Sequence, residues 1–316
     1  MKKLKNNNSL YCEVIASNVI VLLLLVFFFS CGNEEQKRTK PYVVTTTGMI
    51  ADAVKNITDT LFEVEALMGP GVDPHLYKTK QSDTKKLMEA DVIFYNGVHL
   101  EGRMSETLEE LAKSKTVFAM SDGIMESRLI KSSNFVGAHD PHIWFDVKLW
   151  MGAVNYAKHQ LQKLYPQYKD IFQKNYDAYM KKLQELNDYA QSEIASIPEA
   201  ARVLITAHDA FGYFGRAYNI KVRGLQGIST ASDYGVNDRI RLVNFICENK
   251  IKSVFVESSV SPKSINAIME DCAAKGHVVK KGGELYSDAM GTEGTVDGTY
   301  IGMVQHNVNT IVKGLK

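Results

Sequence analysis

The chain has 316 residues, 45% of them hydrophobic, and its 37 basic and 36 acidic side chains nearly cancel to a formal net charge of +1. This balance provides no strongly basic surface of the kind that recruits nucleic acid. The length and the apolar content suffice for two hydrophobic cores of ordinary size, so we predict two domains.

The start of the chain has the features of a secretion signal. Three lysines precede an apolar run at 19–29, which is too short to cross a bilayer, because a spanning helix needs about 20 residues. Ser30 directly before Cys31 resembles the lipobox of bacterial lipoproteins, in which the cysteine is lipidated. We therefore predict a signal peptide at 1–30 and a lipid-anchored linker at 31–40. The alternative is an ordinary cleaved signal with an incidental cysteine.

Residues 41–165 are predicted to form an N-terminal α/β lobe. Short β-branched runs alternate here with amphipathic segments of helical periodicity, and this alternation is typical of a parallel sheet built from βαβ units. The predicted strands are 42–47, 62–68, 91–96 and 116–120, and the predicted helices are 49–57, 82–90 and 105–113.

Two longer helices are predicted next, at 146–164 and 167–196, with Pro166 at the start of the second. Apolar residues recur at helical spacing through about 30 residues of the second helix, which corresponds to roughly 45 Å. We predict that this helix, at 166–198, connects two lobes. The alternative is a core helix that belongs to one domain.

Residues 199–316 are predicted to form a C-terminal α/β lobe. Its predicted strands are 202–206, 222–226, 253–257 and 277–280, and its predicted helices are 211–218, 237–249, 262–274 and 299–315. The predicted fold class is therefore α/β, with two lobes that each contain a mainly parallel sheet flanked by helices and are joined by one long rigid backbone helix. For Cys247 and Cys272 in this lobe, free thiols are favoured over the disulfide that export would also permit.

Three histidines and one aspartate form a potential metal-binding set. Asp-Pro-His occurs twice, ending at His75 and at His142. His208 follows a predicted strand, and Asp288 lies in a late loop. Because open parallel α/β sheets bind ligands beyond the carboxyl ends of their strands, two donors from each lobe are expected to meet in the cleft between the lobes. Three imidazoles and one carboxylate satisfy a four-coordinate transition metal.

Other residues near this set have more than one explanation. The carboxylates that could orient the imidazoles are Glu257, Asp73, Asp140 and Asp209. Aspartate is also favoured in turns and at helix starts, so Glu257, at the end of a predicted strand, is the strongest candidate. The histidines predicted to be ordinary surface or core residues are His99, His139, His159, His277 and His306.

Five motifs together resemble the periplasmic or lipoprotein metal receptors of zinc and manganese ABC importers, often called the TroA-like family. They are residues 71–75 (GVDPH), 95–97 (YNG), 140–146 (DPHIWFD), 208–214 (HDAFGYF) and 283–288 (GELYSD). The resemblance covers nearly the whole mature chain. By position, the family's four metal ligands match His75, His142, His208 and Asp288. The resemblance implies a lipid-anchored receptor that delivers Zn²⁺ or Mn²⁺ to an ABC permease, with the long helix as the backbone between its lobes.

The donor set also bears on the metal. Three imidazoles and one carboxylate favour zinc at equilibrium by the Irving-Williams order. Manganese-selective members of the resembled family usually have a carboxylate where His208 stands. Zinc-dedicated members often carry a His- and acid-rich loop before the second histidine, whereas 121–139 contains one histidine, His139. The resemblance is greatest to the mixed zinc/manganese branch, so we predict zinc as the tighter ligand and manganese as a serious physiological cargo.

The resemblance further implies an exported monomer on a bacterial membrane, facing the periplasm or the exterior. Four protein ligands leave no activated water on the metal, so we expect capture and no enzymatic activity. A zinc hydrolase is the alternative from another class, but the chain lacks His-Glu-x-x-His. A surface adhesin is a second alternative, since relatives of the resembled family sometimes carry that label.

Overall fold

The computed structural model describes residues 38–132, 137–232 and 234–316. The predicted signal peptide at 1–30 and the predicted lipidation site Cys31 lie outside the described residues. Within the described ranges, no helix combines the length and the apolar character that crossing a bilayer requires.

A four-stranded parallel sheet forms the centre of the N-terminal lobe, in the order β2-β1-β3-β4. Its strands are β1 (Tyr42–Thr45), β2 (Glu63–Ala66), β3 (Val92–Tyr95) and β4 (Val117–Ala119). All of β1 is buried, as expected for a parallel strand that is covered on both faces. The predicted parallel sheet is confirmed, although each strand is shorter than predicted.

Three helices connect these strands, and their bounds agree with the predicted helices to within one residue. They are α1 (Gly48–Thr58), α2 (Gln81–Glu89) and α3 (Ser105–Ala112). Helix α1 buries Met49, Ile50, Ala53 and Ile57 on one face, because apolar residues three or four positions apart lie on the same side of a helix.

Two long helices follow, α4 (Val147–Leu164) and α5 (Lys169–Ala195). The Asp146 side chain accepts a hydrogen bond from the backbone N–H of Leu149 and so caps the start of α4. A short 3₁₀ turn that begins at Pro166 precedes α5. The 27 residues of α5 correspond to a length of about 40 Å.

Helix α5 contacts both lobes, as predicted for the connecting helix. In its first half, the Tyr179 hydroxyl donates to Oδ2 of Asp52 in α1 at 3.0 Å. Near its end, the Tyr189 hydroxyl donates to Asn309 at 2.5 Å, and Asn309 belongs to the last helix, α9 (Tyr300–Leu315). These bonds fix one stiff element against an N-terminal and a C-terminal helix.

The C-terminal lobe contains the parallel strand pairs β5–β6 and β7–β8, and β5 lies beside β7. The strands are β5 (Val203–His208), β6 (Lys221–Gln226), β7 (Ser253–Glu257) and β8 (Lys280–Leu285). The helices before α9 are α6 (Gly212–Tyr218), α7 (Val236–Glu248) and α8 (Lys263–Ala274). Cys247 and Cys272 are free thiols, as predicted.

The position of the last strand was predicted wrongly. The sequence predicted a strand at 277–280, whereas β8 begins where that prediction ends and continues for six residues. Gly282 and Gly283 weaken the sequence signal for this strand, because glycine is depleted in strands. Gly282 is needed where it stands, since a Cβ there would lie 2.6 Å from the Phe255 ring on β7.

The largest hydrophobic core extends through both lobes. It includes Val43 of β1, Leu183 of α5 and Met303 of α9, each with no exposed surface. Because burial of apolar surface is the main stabilising contribution to folding, the two lobes depend on one shared core around the connecting helix.

Candidate metal centre

The four predicted donor residues lie at strand ends or in the loops that follow them. His208 is the last residue of β5, and Asp288 lies shortly after β8. His75 lies between β2 and α2, and His142 lies in the segment before α4. The exposed fractions of the four residues are between 0 and 3%. The structure therefore brings all four to the interior.

The donor atoms of these residues converge on one point, all within 4.8 Å of one another. The Nε2 atoms of His75 and His142 are 3.3 Å apart. The two oxygens of Asp288 lie 3.4 Å from Nε2 of His142 and 3.3 Å from Nε2 of His208. Donors about 2.0–2.1 Å from a tetrahedral Zn²⁺ are separated by about 3.3–3.4 Å. The observed spacings fit that geometry.

Two atoms at this point are buried polar groups without a hydrogen bond. Nε2 of His208 and Oδ1 of Asp288 have no hydrogen-bond partner among the described residues. Buried polar atoms are nearly always satisfied, and both of these atoms face the other donors. Their arrangement is suited to a cation.

Asp140 fixes the orientation of His142. Its Oδ1 accepts the backbone N–H of His142 at 3.0 Å and lies 2.7 Å from Nδ1 of the same ring. When Nδ1–H donates to this carboxylate, Nε2 is left to face the other donors. Gly212 makes room for the carboxylate, because a Cβ there would lie 2.7 Å from Oδ2 of Asp140.

Glu257 holds His208 in the same way. Its Oε2 lies 2.5 Å from Nδ1 of His208, and its Oε1 accepts the backbone N–H of His208 at 2.9 Å. Glu257 is the last residue of β7 and is 3% exposed, so the two ends of neighbouring strands are joined by a buried pair. This is the contact expected of a carboxylate that orients a metal-binding imidazole.

Asp73 and Asp209 are arranged differently. Oδ1 of Asp73 accepts the backbone N–H of His75 at 2.9 Å, and Oδ2 accepts the hydroxyl of Thr230 at 2.6 Å. Among the described residues, the carboxylate of Asp209 forms no hydrogen bond with any of the three imidazoles. The structure therefore pairs Asp140 and Glu257 with rings, and leaves the other two carboxylates apart from them.

The surrounding carboxylates keep two of the imidazoles protonated. Burial opposes a charge on His142, but Asp140 and Asp288 outweigh it and raise the pKa of its imidazole to about 9. Burial also opposes a charge on His208, and there Glu257 and Asp288 raise the pKa of the imidazole well above its ordinary value. Without a metal ion, both rings are therefore in the charged imidazolium form, with a proton on each nitrogen, at neutral pH.

The other two donors are in their metal-binding protonation states at neutral pH. Burial lowers the pKa of His75 to about 3, and the nearby charged imidazoles add to this effect. Burial disfavours the charge on Asp288, but the imidazolium groups of His208 and His142 outweigh it and hold the pKa of Asp288 well below its ordinary value. A cation therefore meets one neutral imidazole and one carboxylate that need no deprotonation.

Two side chains that sequence reasoning did not assign to the site hold the loop that carries His142. Asn96 donates to the carbonyl of Pro141 at 2.9 Å. Tyr213 donates to the carbonyl of Asp140 at 2.8 Å. Both lie within motifs that carry the family resemblance, and that was the available signal for them.

Trp144 ties two of the donor loops together and was also missed. Its Nε1–H donates to the carbonyl of Ser287, directly before Asp288, at 3.1 Å. Its ring lies 5.3 Å from the ring of His142, in an edge-on arrangement. The His142 and Asp288 loops are therefore joined by a buried indole.

The other histidines lie outside this group, among the residues that the structure describes. His159, His277 and His306 each contact a backbone carbonyl through one ring nitrogen. His139 lies 4.0 Å from Glu126. His99 has a left-handed backbone, with φ of +61°.

Comparison with known proteins agrees with the geometry. The model of the family described as "ZnuA: Zinc-uptake complex component A periplasmic" matches residues 43–314. The manganese-binding lipoprotein MntA of Bacillus subtilis is 53% identical over 274 residues, which cover 87% of this chain and 89% of the relative. The zinc-binding protein TroA of Treponema pallidum is 49% identical over 276 residues, with the same coverage of 87% and 89%.

The fold agrees as well. The solved structure of the periplasmic zinc-binding protein TroA from Treponema pallidum matches with a TM-score of 0.85 and 48% identity, and the match covers 87% of this chain and 99% of that one. A family match over most of the chain, close relatives and a shared fold give one result. This chain belongs to the ZnuA/TroA family of extracytoplasmic metal-binding proteins, which are substrate-binding components of ABC transporters.

Proposed function

We propose that this protein captures Zn²⁺ or Mn²⁺ outside the cytoplasm and delivers it to the permease of an ABC importer. The proposed ligands are His75, His142, His208 and Asp288. The observation that supports this most strongly is the convergence of four buried donors at the spacing of a tetrahedral shell.

The donor set supports zinc as the tighter ligand and can accommodate manganese. Three imidazoles and one carboxylate favour Zn²⁺ by the Irving-Williams order. Asp288 turns one oxygen towards His142 and the other towards His208, so binding through both oxygens would supply a fifth, hard donor of the kind that Mn²⁺ prefers. The names of the relatives include both a manganese-binding and a zinc-binding protein.

No catalytic step belongs to this proposal. Four protein donors fill a zinc shell, so no open position is left for a water molecule that the metal could activate. The chemistry of the centre is then reversible capture, in which the cation replaces protons on imidazoles.

We also propose how the protein is held at the membrane. In this proposal 1–30 is a cleaved signal peptide, Cys31 carries the lipid, and 31–40 is the linker to the folded part. The description of relatives as lipoproteins supports the anchor. The receptor acts as a monomer on a bacterial membrane and meets its permease there.

The proposed domain organisation follows the path of the chain. Residues 41–165 form the N-terminal lobe, 166–198 the connecting helix and 199–316 the C-terminal lobe. The hydrogen bonds of α5 to helices on both sides support this division. Each lobe then supplies two of the four donors.

Replacement of Glu257 with glutamine is expected to weaken zinc binding by about tenfold to a hundredfold, the usual effect of losing a carboxylate that orients a metal-binding histidine. Glutamine keeps the shape of the side chain but removes the charge beside Nδ1 of His208. Competition with a chromogenic chelator measures the change. Glu284→Gln is a matched control on the neighbouring strand, because Glu284 is exposed. Equal affinities of Glu257→Gln and wild type would contradict the role of Glu257.

The function is tested most directly by elemental analysis of protein purified from its own host without added metal. We expect about one zinc or manganese ion per chain. Protein that contains neither metal, and that also fails to bind either ion when it is offered, would overturn the proposed function.

A further inference from the structure

We infer that the hydrogen bond between Thr230 and Asp73 is a latch that controls how fast the cation passes into and out of the centre. The movable part is the His75 segment, residues 69–76. This inference rests on the proposed function, and it assigns Thr230 as a positioning residue that acts through Asp73 and His75.

The cation has no open path to its donors. His142 and His208 have no exposed surface, and Asp288 and His75 are 2% and 3% exposed. The donor atoms lie within 4.8 Å of one another, so the point on which they converge is surrounded by side chains that expose almost none of their surface to solvent. Binding and release therefore require at least one donor segment to move away.

The two Asp-Pro-His motifs show which segment is free to move. In both motifs, Oδ1 of the aspartate accepts the backbone N–H of the histidine two residues later. In the second motif the same oxygen also lies 2.7 Å from Nδ1 of His142. In the first motif the Asp73 carboxylate accepts a hydrogen bond from the Thr230 hydroxyl. Among the described residues, it forms no hydrogen bond with the His75 ring. His75 is thus the one ligand imidazole that no carboxylate holds among the described residues.

The residues around His142 are also more buried than those around His75. His142 is followed by a run of five buried residues that leads into α4. The His75 segment is irregular, it contains exposed residues on both sides of the motif, and Leu76 is 40% exposed. The motif at His75 is therefore the more weakly enclosed of the two.

One hydrogen bond ties the His75 segment to the C-terminal lobe. Among the described residues, the bond from Thr230 to Asp73 is the only hydrogen bond between 69–76 and the chain beyond 199. Its length of 2.6 Å is typical of a hydroxyl bonded to a charged carboxylate, which is a strong class of hydrogen bond. The other oxygen of Asp73 accepts the backbone N–H of His75, so the Thr230 bond also restrains the His75 backbone.

The latch predicts a specific kinetic signature. Loss of the Thr230 hydroxyl removes a bond to a charged group, and such a bond is strong enough to change a rate by about tenfold or more. Because the closed state must open for both uptake and release, association and dissociation are both expected to accelerate. The equilibrium affinity is expected to change much less than either rate.

The test uses stopped-flow measurements on the full folded protein with Zn²⁺ as the probe. Association is followed after mixing with Zn²⁺, and dissociation after mixing loaded protein with excess chelator. Trp144 provides the fluorescence signal, since its ring lies 5.3 Å from that of His142. Thr230→Val is expected to raise both rate constants about tenfold or more, and Thr230→Ser, which keeps the hydroxyl, is expected to behave as wild type.

Ser232→Ala is the matched control, because its hydroxyl is on the same loop and forms no hydrogen bond among the described residues. We expect wild-type rates from it. Unchanged rates in Thr230→Val, faster dissociation without faster association, or equal effects of Thr230→Val and Thr230→Ser would overturn the latch alone. A wild-type protein that binds no zinc would overturn the latch and the proposed function together.

Discussion

Replacement of Asp288 with asparagine is expected to lower zinc affinity by roughly a thousandfold, the scale on which losing one partner of a buried charged set acts. Asp288 is the one anionic donor of the proposed set, and its two oxygens face His142 and His208. An amide keeps the shape but cannot neutralise the cation. Chelator competition at pH 7.5 measures the loss.

Asp297→Asn is the control for this substitution. Asp297 lies on the same stretch before α9, but its side chain is 36% exposed and contacts His306. It should bind zinc as the wild type does. If Asp288→Asn retained wild-type affinity, Asp288 would not be a ligand and the proposed donor set would be wrong.

Zinc affinity is expected to fall by about ten thousandfold between pH 7.5 and pH 5.5. The pKa of His142 is raised to about 9, and that of His208 lies well above its ordinary value, so both rings are protonated over this range. Zinc must displace two protons, and each displaced proton costs about tenfold in affinity for every unit by which the pH falls. His75 adds no proton, because its pKa is about 3.

Two measurements separate this result from ordinary histidine titration. Calorimetry in buffers of different ionisation enthalpy should detect about two protons released per zinc ion at pH 7.5. Unshifted imidazoles, with pKa values near 6.5, would make the affinity level off above about pH 7, whereas raised pKa values make it continue to rise. Equal affinities at pH 5.5 and pH 7.5 would contradict the binding of zinc in place of protons on His142 and His208.

Much of the fold could be predicted because its elements follow simple periodicities. Strand β7 has the predicted bounds, 253–257, because its run of valine and phenylalanine is too short for a typical helix and is rich in residues that favour strands. Helix α5 could be predicted from its apolar repeat, with Pro166 as the signal for its start. Strand β8 could not be placed, since Gly282 is required by the close approach of the Phe255 ring and Gly283 by that of the Thr310 side chain, and both are tertiary contacts.

The candidate site divides in the same way. His75 and His142 could be found because each ends a short Asp-Pro-His motif, and Glu257 because it ends a predicted strand. Thr230 could not be found, because its bond to Asp73 joins residues 157 positions apart. A local sequence pattern does not show which loop of one lobe contacts which loop of the other.

The shared core limits how this receptor can diverge. Apolar residues of both lobes pack on α5 in one cluster. A chimera that took its two lobes from distant relatives would therefore fold only if the apolar surfaces of both lobes were complementary to each other and to α5. Single replacements of the four proposed donors leave the apolar residues of that surface in place, because none of the four belongs to the cluster. A new metal preference is therefore expected to evolve through point mutations at the donor residues and not through recombination of whole lobes.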